Sequence, residues 1–381
     1  MPHALPPRML GSEIYRGSSY GAWHPLRVPR VSTVMDLARA LGWLPRERFV
    51  LSPRAKPAAL RAWHTADYVD ALVRVEATQE ATETDRARHG LGTHANPVFP
   101  EVYRRPATGA GASLLAGELI AGGGVLHHPG GGTHHAMPDR ANGFCYLNDP
   151  VLTILGLRRA GARRIAYVDI DAHHMDGVEH AFARDPETLL ISTHEERRWP
   201  FTGALGDRGI GQTFNLPLPR GLNDTEFAHV RDRLVLPLLE EMAPDALVLQ
   251  CGADCLEEDP LSRLALSNGA YLDFVRACLP LAPRVVVLGG GGYNPWSVGR
   301  CWTLLWGAIA GEPIPDRLPP EAEAVLRGLE FRGNSRGRNP PAHWFETLLD
   351  APRPGPVRAE VVDRVEALRT RDDRLIPRAA A

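Results

Sequence analysis

No stretch of this 381-residue chain approaches the ~20 consecutive apolar residues of a membrane-spanning helix. Its opening Met1-Pro2-His3-Ala4-Leu5-Pro6-Pro7 lacks the long apolar core of a secretory signal, so a cytoplasmic protein is expected. An excess of charge of one sign is also missing. The 43 basic and 45 acidic residues leave a formal charge of −2 and a pI near 6.7, which predicts binding to neither nucleic acid nor membrane. Arginine pairs such as Arg104-Arg105, Arg158-Arg159, Arg163-Arg164 and Arg197-Arg198 read as solvated helix and loop faces. Cysteines are few, odd in number and scattered (Cys145, Cys251, Cys255, Cys278, Cys301), which excludes a disulfide framework and points to a reducing compartment. A Gly-x-Gly-x-x-Gly followed by an acidic residue is absent, so a dinucleotide site has no support. With no repeat and no long Pro/Gly/Ser linker, one continuous fold is expected.

Short apolar runs ending in Gly, Asp or His are present instead: Gly124-Val125-Leu126, Ile165 to Val168, Leu189-Leu190-Ile191, Ala246 to Gln250 and Arg284 to Leu288. They alternate with helical patterns over residues 31 to 41, 58 to 75, 105 to 120, 149 to 160, 225 to 242, 268 to 279 and 296 to 311. This alternation predicts an α/β fold, a mainly parallel sheet with helices on both faces. Residues 1–315 read as the catalytic domain. Residues 316–381, rich in Pro, Arg and acids, read as a peripheral extension packed on the same domain, with an amphipathic helix carrying Val361, Val362, Val365 and Leu368.

Every strongly polar motif falls at the carboxyl end of a predicted strand, where open parallel sheets place ligands. These motifs are His127 to His135, Asp169 to Asp176, Gln250 to Asp254 and Gly289 to Tyr293. Burying so many ionisable groups is costly unless they are paired or bind a cation. Asp171 and His173 are two residues apart and share a face of an extended segment, and Asp254 supplies a third ligand from another strand. Oxygen and imidazole donors suit zinc, or ferrous iron. His134 and His135 require carboxylate partners to set their tautomers, and the unassigned Asp169 and Asp176 are paired with them respectively. Tyr293 follows four glycines, which puts its hydroxyl in reach of a substrate oxygen.

Together these motifs resemble the zinc-dependent histone deacetylase family, nearest to its bacterial acetoin-utilisation branch. His24-Pro25, Arg30, Gly143 to Asp149 and Asp259-Pro260-Leu261 extend the match in family order from about residue 12 to 310. The resemblance implies an arginase/deacetylase fold with a parallel sheet of about eight strands. It also implies zinc on Asp171, His173 and Asp254, an acid/base pair in His134 and His135 supported by Asp169 and Asp176, and a carbonyl-polarising Tyr293. Phe144 and Trp199 would wall an acyl-lysine tunnel, Gly143 would accept the substrate's amide N–H, and Arg30 would line a product-release pocket. A structural potassium site near Asp169, Asp171, His173, Ser192 and Thr193 is implied as well.

Three positions depart from the family pattern: Met175 and Phe201 stand where glycine is usual, and Ala95 replaces a rim aspartate that holds a peptide backbone. The implied activity is removal of an acetyl or other acyl group from an acyl-lysine-like amine in a protein or peptide. Leu261, where polyamine-selective relatives carry an acid, favours that substrate, whereas Glu257, Glu258 and Asp259 offer charge for an acetylpolyamine. Small-amide deacetylation is a further enzymatic alternative, a two-manganese ureohydrolase of related fold would need more bridging carboxylates than the motifs supply, and a catalytically weak acyl-lysine binding module is the alternative of another class.

Overall fold

The computed structural model describes residues 5–331 and 339–377. Residues 1–4 of the opening segment, and two stretches of the extension at 332–338 and 378–381, lie outside the described residues. Eight strands form one sheet: β1 Arg8–Gly11, β2 Phe49–Leu51, β3 Gly124–His128, β4 Ile165–Asp169, β5 Thr188–Glu195, β6 Thr213–Leu218, β7 Ala246–Gln250 and β8 Arg284–Leu288. Their order is β2-β1-β3-β8-β7-β4-β5-β6, and every pairing is parallel. The four strands that carry the polar motifs are therefore the four adjacent central ones. Their carboxyl ends are held level by register, with His128 opposite Leu288, Leu288 opposite Gln250 and Gln250 opposite Asp169.

The central strands are apolar throughout because both faces are covered. Ala166, Val168, Leu247, Leu249, Val285 and Val287 point to one face, packing with Trp302 and Trp306 of the helix Pro295–Ala310. Ile165, Tyr167, Val248, Val286 and Leu288 point to the other, against Val151, Ile154 and Leu157 of the helix Asp149–Arg159. This period-two split produces one continuous α/β/α sandwich.

Two expected helices differ in detail. The segment read as 58 to 75 is a short turn of helix, Pro57–Leu60, followed by Ala66–Thr78. It breaks because Thr65 is extended and gives its N–H to the Pro138 carbonyl (2.9 Å). The segment read as 225 to 242 is helical but includes a π-turn, Arg231–Val235, just before Pro237, whose missing N–H breaks the regular ladder. The C-terminal helix Ala359–Thr370 buries Val361, Val365 and Leu368, with Val362 half-buried. It covers the outer edge of β6: Arg364 donates to the Pro217 carbonyl (2.7 Å) and Arg371 to the Thr213 carbonyl (2.9 Å). All five cysteines are buried and free.

Candidate active site

Beyond β4 the chain turns back on its own carboxylates. The Asp171 N–H donates to Asp169 Oδ1 and the His173 N–H to Asp171 Oδ1, both at 3.0 Å. Asp254 enters from the turn after β7, where the Ala172 N–H donates to its Oδ1 at 2.9 Å. His173 Nδ1 then lies 2.9 Å from Asp254 Oδ2 and 3.2 Å from Asp171 Oδ1. One ligand atom from each of these three buried residues falls within 4.8 Å of the others. Gly291 makes this approach possible: its N–H donates to Asp171 Oδ2 at 2.7 Å, and a Cβ there would sit 2.0 Å from Asp254 Oδ2.

Electrostatics in the cluster are those of a cation site. Burial opposes charge on His173, yet Asp171 and Asp254 raise the ring to about 10. Burial and the neighbouring Asp171 charge push Asp254 above the usual carboxylate range. Burial also acts against Asp171, but His134 and His173 hold it below that range. Two carboxylates facing one imidazole in a dry pocket fit a divalent metal, which removes the carboxylate repulsion and takes the neutral ring as ligand.

The loop after β3 carries His134 and His135. His134 Nδ1 is 2.7 Å from Asp169 Oδ2, His135 Nδ1 is 2.6 Å from Asp176 Oδ1, and the two Nε2 atoms are 2.9 Å apart. Burial disfavours charge on both rings. For His134 the Asp169 and Asp171 carboxylates outweigh it and raise the ring to about 9. His135 is lowered to about 4 by burial and by its charged neighbour. The pair therefore holds one proton donor and one neutral ring. Met175 does not disturb it: φ is −74° there, a conformation open to any residue, and its side chain is fully buried ahead of the helix Asp176–Phe182.

Several supports were not singled out from the sequence as site residues. Tyr167 donates its hydroxyl to Asp169 (2.8 Å), and Gln250 donates to the Gly132 carbonyl (2.9 Å). Asn148 Nδ2 donates to the carbonyls of His134 and Ala136, both at 3.0 Å. Asp149 accepts the N–H groups of Gly132 and Thr133 at 2.9 and 2.7 Å. The only sequence signal for Asn148 and Asp149 was their place in the segment Gly143 to Asp149.

Tyr293 is buried, with its N–H donated to Asp259 Oδ2 at 2.7 Å. Arg30 donates to the Gly290 carbonyl (2.6 Å) and lines an inner cavity of about 50 Å³ with Asp171, His173, His134, His135 and Tyr293. Toward solvent lies a mouth of about 630 Å³, and His135, His173, Gly143, Phe144 and Tyr293 line both spaces. Trp199 packs edge-on to His135 with ring centroids 4.6 Å apart. It covers Gly143, where a Cβ would lie 2.2 Å from the indole. Phe144 faces Tyr293 with centroids 6.0 Å apart. Leu261, Ala95 and Phe201 line the mouth, and Phe201 is 74% exposed on its rim. Ser192 lies opposite Asp169 in the β4–β5 register, and Thr193 Oγ1 donates to the Asp169 carbonyl at 3.4 Å.

The acidic run after β7 does not present three charges to the mouth. Asp259 is 1% exposed and accepts the N–H groups of Leu261 (2.8 Å) and Tyr293. Glu257 and Glu258 both pair with Arg353, Glu258 at 2.6 Å.

Residues 24–309 match the family described as the histone deacetylase domain. Putative histone deacetylase 2 of Caenorhabditis elegans is 33% identical over 315 residues, which is 79% of this chain and 61% of that protein. The acetoin utilization protein AcuC of Bacillus subtilis is 31% identical over 324 residues, covering 81% of this chain and 84% of AcuC. Among solved structures, an HDAC homologue from Aquifex aeolicus superposes with a TM-score of 0.91 at 34% identity, as does an HDAC homologue complexed with SAHA. In both cases 96% of this chain and all of the other are covered.

Proposed function

This chain belongs to the histone deacetylase family, and on that premise we propose that it is a zinc-dependent deacetylase that hydrolyses the acyl amide of an acyl-lysine-like amine to a carboxylate and the free amine. Ferrous iron is the alternative metal, and a structural potassium ion would sit by Asp169, Asp171, His173, Ser192 and Thr193. The observation that carries the reading is convergence: Asp171, His173, two carboxylate-supported histidines and Tyr293 line one inner cavity, and Asp254 meets His173 from behind it as the third potential ligand.

Asp171, His173 and Asp254 would hold the dication, which when bound would supply Lewis acidity and a water that is nucleophilic near neutral pH. The protein's own groups account for the remaining steps. His135, the neutral ring, accepts the proton of the attacking water. Of the two histidines only His135 also lines the mouth, so it is the ring that returns a proton to the leaving amine nitrogen. His134, charged against Asp169, holds a positive charge beside the reacting centre, and Asp176 fixes the His135 tautomer. The Tyr293 hydroxyl donates to the carbonyl oxygen as charge develops on it. Trp199, Phe144 and Leu261 enclose the methylene chain, the Gly143 carbonyl receives the substrate's N–H, and Arg30 meets the carboxylate product in the inner cavity. The described residues of 316–381, including the helix Ala359–Thr370 on the edge of β6, brace the catalytic unit instead of forming a second one.

The test is acetate release by zinc-loaded protein from an acetyl-lysine peptide, acetylated polyamines and small acetamides, with and without a hydroxamate. Hydroxamate-sensitive release from the peptide is expected. Absence of turnover at full metal occupancy would leave a binding module as the better description.

A further inference from the structure

Among the described residues, the mouth of the candidate site is lined by three arginines, Arg140, Arg197 and Arg198, and by no aspartate or glutamate. Arg198 is committed to structure: it pairs with Glu195 (Nη2 to Oε1, 2.8 Å) and donates to the Leu261 carbonyl. Arg140 and Arg197 are exposed and make no ion pair among the described residues. The acidic run at 257 to 259 does not offset them. Glu257 and Glu258 are matched by Arg353, Asp259 is buried on backbone N–H groups, and position 95 is an alanine. A low-dielectric cleft lined by one sign of charge concentrates ligands of the other sign.

We propose that the amine-side portion of the substrate carries a carboxylate, received at the mouth by Arg140 and Arg197. The substrate is then an anionic acyl-lysine-like amine, and cationic acetylpolyamines are disfavoured. This rests on the deacetylase reading above and narrows its substrate class. The carboxylate belongs either to an acidic residue flanking the acyl-lysine in a peptide or to the α-carboxylate of a free acyl-amino acid, and the two sources separate experimentally.

The experiment compares kcat/KM of zinc-loaded protein for acetyl-lysine peptides of equal length flanked by Asp, Gln or Lys. Further arms are free Nε-acetyl-lysine against its carboxamide, and acetylspermidine. A unit charge about 7 Å from an opposite one in water changes affinity about threefold, so two arginines predict about a tenfold preference for Asp over Gln flanks. The effect resides in KM. It fades as salt rises from about 0.01 M to about 1 M and the Debye length shrinks from ~30 to ~3 Å. The double variant Arg140→Glu/Arg197→Glu, altered only at exposed side chains, reverses the order of Asp- and Lys-flanked peptides. A preference for Asp flanks without one for free acetyl-lysine over its amide assigns the carboxylate to a peptide; the converse assigns it to a small molecule. Equal kcat/KM for all peptides together with equal kcat/KM for free acetyl-lysine and its carboxamide, a preference for Lys flanks or acetylspermidine, or a preference for the carboxylate that survives in the double variant overturns this proposal and leaves the deacetylase reading intact. Hydrolysis of none at full metal occupancy overturns both.

Discussion

His64 is 2% exposed and lies beneath the loop that carries the histidine pair. Its Nε2 accepts the Asn148 N–H at 3.0 Å, so Nδ1 must bear the proton it shares with the Pro138 carbonyl at 3.2 Å, and the ring is neutral. Asn148 in turn holds the carbonyls on either side of His135. Burial lowers the His64 pKa to about 4, whereas the unfolded chain titrates it near ~6.5. The unfolded state therefore binds the extra proton between these values. The contribution of His64 to stability is complete above about pH 6.5 and is lost as pH falls through about 4. Integrated from about pH 7 to about pH 5, the loss is about 2 kcal/mol. The assay is urea unfolding of chelator-treated protein at those two pH values, for wild type and His64→Gln, whose amide keeps a donor and an acceptor but does not titrate. His127 and His194, both lowered to about 3 chiefly by burial, titrate alike in the two proteins and cancel in the comparison. Wild type should lose about 2 kcal/mol more than the variant. Equal losses would refute a buried neutral ring at position 64, and with it the account of how the loop of the histidine pair is anchored.

Two substitutions probe the site directly. Tyr293→Phe should lower kcat by ~10² to 10³, the usual loss for one oxyanion donor; an unchanged kcat with metal content proven equal would remove the hydroxyl from the mechanism. Gly291→Ala places a methyl group 2.0 Å from Asp254 Oδ2 and 2.9 Å from Asp171 Oδ2, so metal per chain by elemental analysis should fall well below that of wild type. The stabilisation by added zinc, about 2.7 kcal/mol at 100 times Kd, should vanish with it; a full complement of tightly held metal in this variant would place the ligands elsewhere.

The central strands were legible because they are buried on both faces, and that condition leaves an uninterrupted apolar run ending where the chemistry begins. β1, β2 and β6 were not. β1 and β2 have four and three residues, and β6 holds Asn215 and Pro217, a proline that is tolerated because β6 lies at the sheet edge. The site residues stood out for a related reason, since clustered ionisable groups at a strand end are improbable without a function. Their supports left no comparable trace. His64 acts on Asn148 across 84 positions and Gln250 on Gly132 across 118, so each appears in sequence as one polar residue among many. At Met175, a position where the family usually carries glycine, φ is negative and the Asp176–His135 contact is intact.

The acidic run at 257 to 259 shows why local charge in a sequence is a poor guide to the field at a site. Read in line, Glu257-Glu258-Asp259 is a concentrated negative charge next to Leu261, which lines the mouth, and it argues for a cationic polyamine. In three dimensions Asp259 turns inward, where its carboxylate ties the Leu261 loop to the Tyr293 loop, and Arg353, about 95 residues further on, pairs with the two glutamates. That arginine is itself held by backbone bonds to Asp224, accepting at 3.0 Å and donating at 2.8 Å, so the neutralisation is built into the packing of the extension. What reaches the mouth is the residue of charge left after such pairings. There Arg140 and Arg197 retain theirs, so a chain that is nearly neutral overall presents a positive mouth to the inner cavity of the candidate site.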